Sequence, residues 1–106
     1  MLDTTATTEL RIQEYLVALN AIAPEGYSFD TTQGKKYTKV VMTARGGQRS
    51  VHSFIEPATG AIYKPAGWQR PAAHVRYCLT SEASYARLLE ALKSRGAWSG
   101  SYLYLR

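Results

Sequence analysis

The sequence predicts an α+β fold in which a three-stranded antiparallel meander carries two helices packed on one face. Apolar residues recur at helical spacing near both ends of the chain. Between these segments, β-branched and aromatic residues alternate with polar ones, and turns containing glycine or proline separate the alternating stretches. The chain has 106 residues, of which 45% are hydrophobic. It therefore fits one ordered domain over residues 8–106, preceded by a flexible leader over residues 1–7.

The first helix is predicted from Thr8 to about Ala23. A threonine hydroxyl at its start can accept a hydrogen bond from an unpaired backbone amide, and Pro24 and Gly26 end the helix. A short extended piece follows at Tyr27 to Phe29. One side of the helix carries an apolar stripe that would pack against the sheet. The stripe consists of Ile12, Tyr15, Leu16, Leu19 and Ile22.

The clearest strand runs from Lys35 to Arg45, and alternation along it separates a core face from an outer face. Gly46-Gly47 tolerates positive φ and predicts a hairpin to a second strand over Gln48–Ile55. A turn at 57–60 leads to the third strand, Ala61–Lys64. The core face of the first strand consists of Thr38, Val40, Met42 and Ala44, and its outer face of Tyr37, Lys39, Val41, Thr43 and Arg45.

The last third of the chain begins with a predicted loop from Pro65 to Pro71. Residues 74–79 fit either a strand or a short helix. Ser81 is placed to cap a second helix that runs through Arg95, with Gly96 at its carboxyl end. Residues 102–105 allow one further, C-terminal strand. The buried stripe of the second helix is predicted to be Tyr85, Leu88, Leu89 and Leu92.

The formal net charge of +5 is distributed unevenly. Residues 1–33 carry five acidic side chains against Arg11 alone, whereas residues 34–79 carry eight Lys and Arg residues against Glu56 alone. A basic, aromatic-containing sheet face and loop would attract phosphates and stack on bases, which indicates a non-enzymatic nucleic-acid-binding protein. The predicted binding residues are Lys35, Lys39, Arg45, Arg49, Lys64, Trp68, Arg70 and Arg76.

An alternative is that the loop docks on a protein partner. An aromatic held between two prolines loses little entropy on contact, so Tyr63, Trp68 and Arg70 are the predicted contact residues. Trp68 is also large enough to close the open edge of a small core, and the sequence leaves both roles open. An exposed sheet edge leaves a homodimer open as well.

Other chemistry has weak support in the sequence. His52, His74 and Cys78 are the only imidazole and thiol groups of the chain, and a zinc site normally uses four ligands or three plus water. A Ser50 or Ser53 nucleophile with His52 as base is disfavoured, because neighbouring strand residues point to opposite faces. We therefore expect no enzyme activity, cofactor, metal or membrane span, and a single cysteine fits a reducing compartment.

The central segment contains a string of residues with a defined spacing, namely Arg49 to Ile55, Thr59 to Ala66, Trp68, Pro71-Ala72 and Arg76. With these residues the chain resembles, over roughly residues 37–79, a group of small uncharacterised proteins encoded by tailed bacteriophages. The resemblance implies a phage origin, a location in the bacterial host cytoplasm, and binding to phage nucleic acid or to a host factor. Glu56 and Gly67 depart from the pattern, where an aspartate and a small hydroxyl or alanine are expected.

Overall fold

A computed structural model describes residues 4–93 and residue 103, with side chains described from residue 7 onward. The fold is α+β, as predicted, with two helices and one antiparallel sheet. The elements in chain order are α1 (Thr4–Ile22), β1 (Ser28–Gln33), β2 (Thr38–Thr43), β3 (Arg49–Glu56), β4 (Ala61–Pro65), β5 (Pro71–Cys78) and α2 (Glu82–Ala91).

The sheet is an antiparallel meander with the strand order β1-β2-β3-β4-β5. The three predicted strands form its centre, and one further strand pairs on each side. Residues 27–29 extend into β1, and residues 74–79, which fitted either a strand or a helix, lie mostly in β5. Both added strands are edge strands, and Pro71 begins β5, where a missing N–H breaks no central ladder bond.

One face of the sheet is covered by the helices, and the core lies between them. Alternation places Val40, Ile55 and Ile62 on this covered face, where they are buried. Thr38 is buried and Met42 packs against the core, so the predicted core face is confirmed within β2, while Ala44 lies beyond the end of the strand. The helices and the 103 position contribute Ile12, Tyr15, Leu19, Leu88, Leu92 and Leu103 to the same cluster.

Arg11 fastens the two helices to each other and to the end of the sheet. Its guanidinium donates to the Leu79 carbonyl oxygen at 2.6 Å and to Glu82 at 2.5 Å, and it lies 4.4 Å from the centre of the Tyr85 ring. The Tyr85 hydroxyl in turn donates to Glu14 at 2.6 Å. Burial, with the hydrogen bond to Glu14, raises the pKa of Tyr85 to about 12. These acidic groups are thus engaged within the helical layer.

The helix boundaries differ in part from the predicted ones. α1 begins at Thr4, four residues before the predicted start, so the predicted leader overlaps the helix at positions 4–7. Ser81 caps α2 as predicted and accepts a hydrogen bond from the Ser84 amide at 3.3 Å. The helix ends at Ala91 rather than Arg95. The predicted Gly96 cap lies outside the described residues, as does the predicted C-terminal strand apart from Leu103.

The buried stripe of α2 was predicted correctly at Leu88 and Leu92, but Leu89 is 36% exposed. Ser84 is buried instead and accepts a hydrogen bond from the backbone N–H of Cys78 at 2.8 Å. A small polar side chain therefore faces the sheet where it can pair with the backbone at the end of β5. Helical spacing alone does not distinguish such a residue from a solvent-facing serine.

Candidate functional site

The face of the sheet opposite the helices carries the candidate site, and we call it the open face. Lys39 and Phe54 are paired across β2 and β3, and Phe54 is paired with Tyr63 across β3 and β4. Because these positions alternate with the buried residues of the covered face, their side chains share the open face. The predicted outer face of β2 is therefore the face on which the candidate residues meet.

Three aromatic rings form a cluster on the open face. Tyr37 contacts Phe54 with 5.9 Å between ring centres, and it contacts Tyr63 at 6.0 Å, both edge to face. Phe54 is only 1% exposed and therefore forms the floor of the cluster, whereas both tyrosines are half-buried. Burial raises the pKa of Tyr63. The three rings pack edge to face against one another, so they offer little free ring surface to a ligand. Their role is to support the site from below.

Trp68 differs from this cluster because much of its ring remains accessible. The indole is 48% exposed and lies in the loop between β4 and β5, which the Ala66 amide closes by donating to the Arg70 carbonyl at 3.1 Å. Lys39 Nζ lies 5.7 Å from the centre of its ring. The loop therefore folds back over the sheet as far as β2. Of the two roles left open by the sequence, the closing of the core does not apply to Trp68.

Two depressions border this lysine–tryptophan pair, one lined in part by Lys39 and the other by Trp68. The first, which we call the basic cleft, has a volume of about 230 Å³ and lies between the β1–β2 turn and the loop that carries Gln69. The second, the apolar hollow, has a volume of about 260 Å³ and is shallower. The basic cleft is lined by Lys35, Lys36, Lys39, Tyr37, Phe54 and Gln69 among others. The apolar hollow is lined by Val51, Pro65, Ala66, Gly67 and Trp68.

The structure brings together some of the predicted cations and adds one. Lys35 and Lys39 line the basic cleft with Lys36, which the prediction omitted from its binding residues, and Arg70 is exposed in the adjoining loop. Lys36 lies 5.4 Å from the Tyr37 ring centre and 3.8 Å from Glu56, so part of its charge is balanced locally. The sequence predicted a strand from Lys35 to Arg45, whereas β2 covers only Thr38–Thr43. Lys36 therefore lies in the turn before β2, where strand alternation does not decide the direction of a side chain.

The remaining predicted cations do not join this group. Arg45 lies beyond the far end of β2 and donates to the Glu25 carbonyl at 2.8 Å, and Arg49 is 3.8 Å from Asp30. Lys64 is half-buried in β4 and has its own interactions. Arg76 is the extra residue where the β4–β5 register shifts, and its buried Nε makes no hydrogen bond to the described residues. The predicted set of eight is thus divided along the sheet.

His52 occupies a β-bulge, which overturns the expectation that it faces away from Ser53. Val40 pairs with Ser53 and Val41 with Val51, so His52 is the extra residue that β3 carries at the bulge. His52 Nδ1 lies 3.3 Å from Ser53 Oγ, which lies 3.2 Å from the Tyr15 hydroxyl, all buried beneath α1. Burial lowers the pKa of His52 to about 4. This serine–histidine contact has no access for a substrate and belongs to the core.

The metal hypothesis loses its geometric basis. The spacing of His74 and Cys78 would bring them within reach of one ion on a helix, but they lie in strand β5, where four positions span about 13 Å. Cys78 Sγ lies 3.1 Å from Thr80 Oγ1 and 3.4 Å from the Thr59 carbonyl oxygen. Within residues 4–93 and 103, no group of three His, Cys, Asp or Glu side chains is arranged to hold a metal ion.

The fold and the site define a small α+β protein with one helix-covered sheet face and one basic, aromatic open face. The chain belongs to a family of unknown function, DUF7717, whose sequence model matches residues 3–105. No curated protein and no solved structure matches it significantly. Neither helix in the part of the chain that the structure describes is long and apolar enough to cross a membrane.

Proposed function

We propose that the protein binds nucleic acid, without catalysis, through the basic cleft and the exposed Trp68 of the open face. The observation that carries this proposal is the Lys39–Trp68 contact of 5.7 Å beside Lys35 and Lys36. Phosphates require cations, and bases stack on accessible aromatic rings, so the two groups that nucleic acid needs are adjacent. The location is proposed, on the resemblance given above, to be the cytoplasm of a phage-infected bacterium.

The helical layer supports this proposal because it does not cancel the charge of the cleft. Glu14 is engaged by Tyr85, and Glu82 by Arg11, both in the helical layer. On the open face, Glu56 and Asp30 each face one cation at 3.8 Å. The lysines of the cleft and Arg70 therefore retain a net positive surface, which is what attracts a polyanion.

Binding of oligonucleotides at several salt concentrations tests the proposal. About four cations contact phosphates in this arrangement, so log K should fall with log salt with a slope of about −3. Lys39→Gln should weaken binding and reduce the magnitude of that slope by about one. Fluorescence anisotropy with mixed-sequence labelled oligonucleotides measures both quantities.

Arg87→Gln is the matched control, because it removes one exposed cation from α2 in the helical layer. It should leave both affinity and slope nearly unchanged if the open face is the binding surface. Equal losses for the two variants would show that binding follows net charge rather than this site. Absence of binding at low salt would remove the proposal.

A protein partner is the second candidate function, and the 48% exposure of Trp68 in a loop favours it. The contact would use Trp68 with Tyr63 and Arg70, as an adaptor or inhibitor of a host protein. Affinity capture from bacterial lysate, with and without nuclease treatment, separates the two functions. A defined partner retained after nuclease and lost with Trp68→Ala would support this candidate, whereas capture that depends on intact nucleic acid supports the first.

A further inference from the structure

We infer that the ligand is a single strand, with one base stacked on Trp68 in the apolar hollow and the adjoining phosphate in the basic cleft. This inference rests on the proposed function and specifies its substrate class. The hollow and the cleft are adjacent on the open face, with Lys39 lining one and Trp68 lining the other. A nucleotide has the same two-part character, since an apolar planar base is linked to a charged phosphate.

The apolar hollow suits a base because its lining is almost free of charge. Val51, Pro65 and Ala66 surround the exposed indole, and Trp68 brings the only side-chain hydrogen-bond donor of the lining. Its volume of about 260 Å³ has room for one planar ring system. Recognition in such a hollow depends on stacking rather than on base-edge hydrogen bonds, so we expect little sequence preference.

A duplex fits this arrangement poorly. In a double helix the flat faces of the bases are covered by their neighbours, and only the base edges are accessible in the grooves. Placing a base in the hollow would then require extrusion of that base, which costs its stacking and pairing interactions. A single strand presents its base faces without this cost, whereas Lys35, Lys36 and Lys39 can contact phosphates of either form.

The ring cluster explains why one base, and not several, is the unit of recognition. Phe54 is almost completely buried, and the two tyrosines pack on it and on each other. Among the described residues, Trp68 is the one aromatic side chain on the open face that is classed as exposed. The remaining contacts to a strand are therefore made by cations, and stacking contributes at one position.

Two variants test the stacking site while the cations stay in place. Trp68→Ala removes the ring and should weaken binding to a short mixed-sequence single strand about tenfold or more, with little effect on the duplex of the same sequence. Trp68→Phe should keep most of the affinity. Val17→Ala, an exposed apolar residue of α1, is the matched control and should change neither affinity.

Gly67→Leu addresses the same hollow without removing Trp68. A Cβ at Gly67 meets no atom within 4 Å, so a side chain there enters open space beside the hollow and should be tolerated by the fold. Occupation of the hollow should weaken single-strand binding by several-fold while duplex binding changes little. Circular dichroism of each variant establishes that it is folded, and this second variant keeps the test valid if Trp68→Ala does not fold.

The outcomes separate this inference from the proposed function. Preference for the single strand, lost in both Trp68→Ala and Gly67→Leu, supports a base in the hollow. Equal affinity for both forms, with neither variant affecting the single strand, would overturn the inference and leave nucleic-acid binding through the cations intact. Failure of the protein to bind either form at low salt would instead remove the proposed function itself.

Discussion

The two faces of one sheet differ in almost every property, although the same strands build both. The covered face presents Val40, Ile55 and Ile62 to the helices, and these side chains are fully buried. The open face presents Lys39 and the accessible Trp68, with Phe54 as a buried floor. Strand alternation therefore lets a short chain separate the residues that provide folding energy from those available to a ligand.

The comparison predicts that mutations on the covered face destabilise the fold much more than mutations on the open face. Ile55→Ala, on the covered face, should lower the free energy of unfolding by about 3 kcal/mol, because it removes buried methylenes and leaves a cavity. Trp68→Ala, on the open face, should lower it by less than about 1 kcal/mol, because the ring is half exposed. Urea denaturation followed by circular dichroism measures both values. A comparable loss in the two variants would break the division between the faces.

The covered face should also determine the acid stability of the fold through His52. Its folded pKa of about 4 lies below the ordinary 6.5, so the unfolded chain binds the proton more readily. This contribution to stability is fully present above pH 6.5 and is lost as the pH falls towards 4. The loss amounts to about 3 kcal/mol from the size of the pKa difference.

Urea denaturation at several pH values between 7 and 4 measures this loss. His52→Leu should flatten the dependence, because it removes the group that titrates, while His74→Gln should retain it, because His74 is exposed. A dependence that is identical in the wild type and in His52→Leu would show that other groups cause the acid sensitivity.

Substitution of Arg11 tests how the two helices are attached to the covered face of the sheet. Arg11→Ala should reduce the free energy of unfolding by about 1 to 2 kcal/mol, because the Leu79 carbonyl and Tyr85 lose their partner. Thermal denaturation measures the effect, with Arg87→Ala as the control on the same layer. Nucleic-acid affinity of the folded protein should stay unchanged, and a parallel loss of affinity would show that the two faces are coupled.

Much of the fold could be predicted because its strongest patterns are local. The stripe of Ile12, Tyr15 and Leu19 appears at helical spacing, and the alternation in β2 gave the correct core face. The edge strands were harder to predict, because β1 has Phe29 as its single buried residue and β5 begins with a proline. Their strand conformation depends on pairing with a neighbour that the local sequence does not encode.

The site was predictable in composition more than in arrangement. Lys35, Lys39 and Trp68 could be chosen from charge and aromatic content, and the structure places them around adjoining depressions. Arg45 and Arg49 also carry a positive charge, but they lie towards the other end of β2 and β3. There they contact Glu25 and Asp30. The loop between β4 and β5 folds back over the sheet near Lys39 and away from Arg45 and Arg49. This path depends on tertiary structure, so the local sequence does not reveal it.

The extra residue in β3 has a geometric effect that reaches the open face. Val51 and Phe54 are three positions apart, and strict alternation would turn them in opposite directions. His52 is inserted at the bulge and shifts the alternation by one residue. Val51 and Phe54 therefore lie on the same face of the sheet. A regular strand that retained His52 without the bulge would direct Val51 and Arg49 towards the helices. A buried imidazole thereby sets which side chains of β3 border the indole.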